Sequence, residues 1–127
     1  MSAPVAISHF RLLTQFKNID PYLREALSSP QHYFFDCLAV CISDQPSPEV
    51  REFWGWWMTL TMHETGFVTE YAYGRYNKQG CWQVENIPAS AKKEVEHTQQ
   101  EFHAKLQQLL QEYLPITGQF QAESKNA

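Results

Sequence analysis

The chain has 127 residues, 43% of them hydrophobic, with 10 basic and 14 acidic side chains and a formal net charge of −4. That length suits one domain, residues 1–127, with a single core, and the hydrophobic fraction excludes a disordered chain. The acidic balance argues against direct binding to nucleic acid, which needs a basic surface to neutralise phosphates.

The opening residues, MSAPVAISHF, lack the basic n-region and long apolar run of a secretory signal. The longest apolar run, CLAVCI at 37–42, is too short to span a bilayer. A cytoplasmic protein without a membrane partner is expected.

Phe10, Leu13, Phe16 and Ile19 recur near a helical period, predicting a helix over about 8–18 that Asp20-Pro21 ends. Residues 22–26 read as a short helical turn before the Ser28-Ser29-Pro30 break. Residues 32–43 are aromatic, β-branched or small and predict a strand. A proline-stiffened loop follows at 44–48.

The second strand, about 51–62, opens with REFWGWWM and places Phe53, Trp54, Trp56 and Trp57 within five positions. Successive strand side chains alternate between faces, so four rings cannot share one side. Gly55 predicts a bulge that turns Phe53 and Trp56 to solvent and leaves Trp54 and Trp57 to the core. Core and contact surface are equally good uses for such rings.

After a turn at 64–66, a third strand is expected at 67–76, then a hairpin at Asn77-Lys78-Gln79-Gly80 and a short fourth strand at 81–86. Beyond Pro88, Ser90 is the expected N-cap of a long helix reaching about Leu114. Its apolar stripe is Ala91, Val95, Phe102, Leu106, Leu109, Leu110 and Tyr113. Pro115 ends it, and residues 119–127 form a polar tail beyond an ordered core of about 8–114. Short connections make an antiparallel meander the simplest topology. The expected fold is α+β: a four-stranded antiparallel sheet with an N-terminal helix and a long C-terminal helix packed on it.

No catalytic or metal-binding pattern emerges, and no cofactor is implied. HExxH, GxSxG, P-loop and GxGxxG motifs do not occur. His97 and His103 are six apart on a helix and point in different directions. His32 and Asp36 share a strand face but lie beyond hydrogen-bond reach. Cys37 and Cys41, roughly 13 Å apart on a strand, are too distant for a disulfide or adjacent zinc ligands. They read as two small buried hydrophobes on one strand face. An aromatic sheet resembles a base-stacking platform, but the first two strands and their loop oppose one arginine, Arg51, with Asp36, Asp44, Glu49 and Glu52. Protein binding remains.

FFDCLAVC at 34–41, REFWGWWM at 51–58, PSPE at 46–49, PYLRE at 21–25 and EFHAKL at 101–106 resemble the Crl family of bacterial sigma factor-binding proteins. The resemblance covers most of 21–110. It implies a partner, the sigma-S subunit of RNA polymerase, bound through its domain 2. It also implies a function: promoting sigma-S assembly with core polymerase, and so transcription, without reading DNA. The positions matching the family's sigma contacts are Tyr22, Arg51, Phe53, Trp56 and Trp82, with Arg51 facing acidic residues. A further contact with the β′ subunit is implied, for which Asp36 and the 44–48 loop are candidates. The alternatives are another protein-binding adaptor using the same aromatic patch, or a small-ligand domain with an aromatic cleft.

Overall fold

A computed structural model describes residues 8–63 and 66–113. The expected turn residues Glu64 and Thr65, the helix end at Leu114, the Pro115 stop and the polar tail lie outside the described residues. Helix α1 spans His9–Ile19, strands β1 His32–Cys41, β2 Phe53–His63, β3 Gly66–Tyr76 and β4 Trp82–Val84, and helix α2 Ala89–Tyr113. The sheet is an antiparallel meander in the order β1-β2-β3-β4, as the short connections imply.

Helix α1 starts where Ser8 Oγ accepts the Arg11 amide at 3.1 Å, a side-chain N-cap. Its buried stripe is Leu12, Leu13 and Phe16. Phe10, expected in the stripe, is 80% exposed. It lies roughly 200° round the helix from Leu12 at ~100° per residue, so the two cannot face the same core. Helix α2 begins one residue earlier than its expected cap. The Pro88 carbonyl accepts the amides of Ala91 and Lys92, leaving Ser90 inside the first turn. Its stripe buries Ala91, Val95, Phe102, Leu106, Leu109 and Leu110, and Gln99 fills the gap before Phe102.

Both helices cover the same face of the sheet. Phe16 meets Tyr33 and Phe35 edge-on, and Phe102 of α2 packs on Phe35 and Trp56. Tyr33, Phe35, Cys37, Trp56, Met58, Leu60 and Tyr71 complete this core from the strands.

Residues 21–22 form a turn, and Leu23 and Arg24 are extended rather than helical. Leu23 bridges Phe35, the Arg24 amide donates to Phe34, and the Asp36 amide donates to the Tyr22 carbonyl at 3.0 Å. This segment covers the edge of β1, where an open ladder would otherwise invite pairing. A single helical turn, Glu25–Leu27, follows.

The expected bulge at Gly55 is absent. The β2–β3 register runs unbroken from Phe53↔Tyr76 to His63↔Gly66. The irregularity lies on β1 instead, between Leu38 and Val40. It corrects the pairing of the two cysteines: Cys37 is buried, whereas Cys41, beyond the extra residue, is exposed beside Phe53. Cys37, Cys41 and Cys81 are free thiols.

Candidate protein-binding face

With β2 in unbroken alternation, Trp54, Trp56, Met58 and Leu60 point toward the helices, and Phe53, Gly55 and Trp57 point away. Neither α1 nor α2 lies over this second face; the helical turn Glu25–Leu27 flanks it on the β1 side. Across it, Phe53 pairs with Tyr76, Gly55 with Gly74 and Leu38, and Trp57 with Ala72 and Asp36.

Trp82 of β4 completes the patch. Its ring stacks on Trp57 at 4.8 Å and meets Tyr76 edge-on at 5.2 Å. The paired glycines make the approach possible. A Cβ on Gly55 would sit 2.0 Å from the Cys37 carbonyl oxygen and 3.0 Å from the Trp82 ring. A Cβ on Gly74 would sit 1.9 Å from the Gln83 oxygen. Glycine is required at both positions because backbone, not a movable side chain, fills the space.

Asp36 anchors this arrangement from below. It is only 4% exposed, and both carboxylate oxygens are engaged. Trp82 Nε1 donates to Oδ2 at 2.8 Å, and Arg24 Nε donates to Oδ1. Asp36, a candidate polymerase contact, is therefore engaged within the protein and offers a partner very little surface. Beside it a groove of about 390 Å³ is lined by Leu23, Arg24, Leu27, Phe34, Tyr76 and Trp82.

The residues singled out in the sequence divide into three places. Phe53, half-buried, and Trp82 share the uncovered face. Arg51 sits at the end of the proline loop, where Nε donates to the Pro46 carbonyl at 2.9 Å and Nη2 to that of Asp44 at 3.1 Å. Those bonds tie the guanidinium to the loop, two positions before Phe53 in the chain.

Trp56 and Tyr22 lie on the helix-covered side. Trp56 is 0% exposed, which corrects the expectation of a solvent-facing ring. Without a bulge at Gly55 the alternation sends it inward. Its Nε1 donates to Thr98 Oγ1 at 3.1 Å, and its ring meets Tyr22 edge-on at 5.5 Å. Trp54 and Trp57, expected to be buried, are each partly exposed. Tyr22 is half-buried, and burial together with a hydrogen bond donated to Cys37 raises its pKa well above the usual tyrosine value.

Trp57 and Tyr76 belong to the face but escaped the sequence reading. The signal was present in strict period-two alternation from Phe53, which the assumed bulge obscured. Asp36 and Trp82 are 46 positions apart in sequence, and no local pattern joins them.

Among the described residues no cluster of His, Cys, Asp or Glu is placed to hold a metal ion. No described helix is long and apolar enough to cross a membrane.

A family model described as "Sigma factor-binding transcriptional regulator Crl" matches residues 1–127. The chain is 50% identical over 117 residues to a sigma factor-binding protein Crl of Vibrio cholerae, covering 92% of this chain and 91% of the relative. It is 44% identical to the protein of that name from Vibrio vulnificus, with the same coverage. It is 42% identical over 119 residues to that from Photobacterium profundum, covering 94% of this chain and 90% of the relative.

Proposed function

Because the chain belongs to the Crl family of sigma factor-binding transcriptional regulators, we propose that it binds sigma-S through domain 2 of that subunit and promotes sigma-S assembly with core RNA polymerase. The observation that carries this reading is the uncovered aromatic face, Phe53, Trp57, Tyr76 and Trp82, with Arg51 at its border. Rigid aromatic rings beside an arginine are the composition of a protein-binding hot spot.

Within this reading the five proposed residues have different roles. Phe53 and Trp82 supply apolar contact area. Arg51 offers the open side of its planar fork to a carboxylate pair on sigma. Tyr22, on the helix-covered side against Trp56 and Phe102, offers the exposed part of its ring at the edge of β1. Trp56 acts from inside, setting the Tyr22 ring and the path of β2. The 44–48 loop, held by Arg51, is the proposed contact with the β′ subunit.

Assembly follows by linkage. A protein that prefers sigma in its polymerase-competent conformation shifts the population toward it. Contact with both sigma and core adds effective concentration. A tenfold gain in assembly needs only about 1.4 kcal/mol, so a small interface suffices. The chain's negative charge opposes its own attraction to promoter DNA.

Calorimetric titration of the purified protein against purified sigma-S tests the reading. Binding is expected, weakened about tenfold or more by Phe53→Ala or Arg51→Ala. The Arg51→Ala deficit should shrink as salt is raised, because the contact it removes is screened. Absence of binding to sigma-S, or undiminished binding by both variants, rejects the reading.

A further inference from the structure

On the helix-facing side of the sheet, at the end near the proline loop, Arg75 of β3 gathers three neighbours. Its Nε and Nη2 donate to Glu85 Oε2 at 3.1 and 2.8 Å. Its Nη1 lies 3.5 Å from Glu52 Oε1. The guanidinium sits over the Trp54 ring, 5.8 Å from its centroid. Glu52 separates Arg51 from Phe53 in the chain, and its other oxygen accepts the Lys78 amide in the β3–β4 turn at 3.1 Å. Glu85 follows β4 directly.

β4 needs such a tie. It is three residues long and pairs only with β3, through Gly74↔Val84, Arg75↔Gln83 and Tyr76↔Trp82. The next amide, Glu85 N–H, reaches the Tyr73 carbonyl at a long 3.4 Å. A strand this short, on a sheet edge, opens readily. It nevertheless carries Trp82, whose ring must reach across Gly55 to Asp36.

We propose that Arg75 is a positioning residue of the binding face, tying β4 and its Trp82 to the segment that leads into β2, Arg51 to Phe53. The proposal rests on the sigma-binding reading above. The arginine works from the reverse side: it shares a face with Trp54, whereas Phe53 and Trp82 project from the other. It therefore acts through residues it holds and touches no partner seated on the aromatic face. Two carboxylates drawn together from just before β2 and just after β4 repel each other unless a cation sits between them. Only a planar fork serves both at once while sitting over an indole. The ion pairs are about one-third exposed, so they add little to global stability. Their effect is on the placement of β4.

Two variants, Arg75→Gln and Arg75→Lys, test this with two readouts. Amide hydrogen exchange of the free protein reads the tether without any partner. Arg75→Gln should speed exchange of the Glu85 amide about tenfold, with the β1–β2 ladder and the melting temperature little changed. Titration against sigma-S reads the consequence, with about a tenfold loss of affinity expected. Arg75→Lys keeps the charge and loses the fork, and should fall between wild type and Arg75→Gln in both measurements. Unchanged exchange in Arg75→Gln overturns the tether. Faster exchange with unchanged affinity overturns its service to binding. Wild-type affinity in Arg75→Lys beside a weakened Arg75→Gln shows that charge, not geometry, matters, and overturns positioning. A wild-type protein that binds no sigma-S rejects the underlying reading and the positioning role with it, a result distinguishable because the reference titration itself is then flat.

Discussion

The Trp82 indole N–H donates to Asp36 Oδ2 at 2.8 Å, joining the last strand of the sheet to the first across two intervening strands. The bond fixes a large ring over Gly55, which has no side chain to hold it by packing. Arg24, half exposed, supplies the compensating charge. A buried carboxylate with a charged partner and a second donor is satisfied at low cost, whereas one stripped of partners is not.

Asp36→Ala removes the acceptor for Trp82 and Arg24 together. The expected loss is about 2–3 kcal/mol, the range for hydrogen bonds to a charged group and the donors left unmade. Combined with Trp82→Phe in a double-mutant cycle, it should show a coupling of about 1 kcal/mol or more. Urea unfolding of the four proteins measures it, and strict additivity would mean that the bond carries no energy.

Trp56→Ala should destabilise the domain by about 3–5 kcal/mol, as removal of a fully buried ring does. That is a large share of a typical domain's ~5–15 kcal/mol. A loss of partner binding in this variant therefore reports folding. Thr98→Val, which strands the indole N–H inside the core, is expected to cost about 1–3 kcal/mol. Melting curves of both variants superimposing on wild type would contradict the buried position of Trp56.

His103 gives the domain a pH dependence on its acid side. Its Nδ1 lies 2.8 Å from the Tyr71 hydroxyl, and burial lowers its pKa from the ordinary 6.5. The folded state then binds fewer protons than the unfolded state between the two values. Its contribution is present above about pH 6.5 and is lost as pH falls through the folded value. Replacing His103 by Gln should flatten the stability profile just below pH 6.5. An unaltered slope in chemical denaturation at stepped pH would assign that dependence to other groups.

Gln31 occupies the third position of the Ser29–His32 turn with φ of 73°, after Pro30. That position of a type II turn favours glycine. Left-handed backbone costs an L-residue roughly 1–2 kcal/mol, and the greater unfolded-state freedom of glycine offsets part of the relief. Gln31→Gly should stabilise the protein by about 0.5 kcal/mol, read as a small rise in thermal midpoint. A fall would show that the Gln31 side chain contributes more than the turn strain removes.

Much of the fold was legible because its signals are local. The Asn77–Gly80 turn closes as its residues suggest: Asn77 Oδ1 accepts the amides of Gln79 and Cys81, and Gly80 takes a φ of 78°. From Ala91 to Leu110 the apolar stripe of α2 buries where its period placed it; the Tyr113 side chain lies outside the described residues. Gly55 misled because a glycine in a strand signals two different things, a bulge or a close approach of other backbone. Which of them applies depends on what lies above it, and that is the Cys37 carbonyl of β1 together with the Trp82 ring of β4.

Alternation, turn chemistry and helical period, all written within a few neighbouring residues, were enough to determine the α+β meander and its two helices, while the family resemblance rested on five sequence blocks between 21 and 106. Only the tertiary structure decided which ring is core and which is surface. Trp56 is buried because the β2–β3 register stays unbroken and Phe102 of α2 lies over it. Trp82 belongs to the uncovered face because Asp36, 46 positions away, accepts its N–H. Side-chain direction in a strand flips with a single residue of register, so one distant pairing determines what a local run of aromatics leaves open.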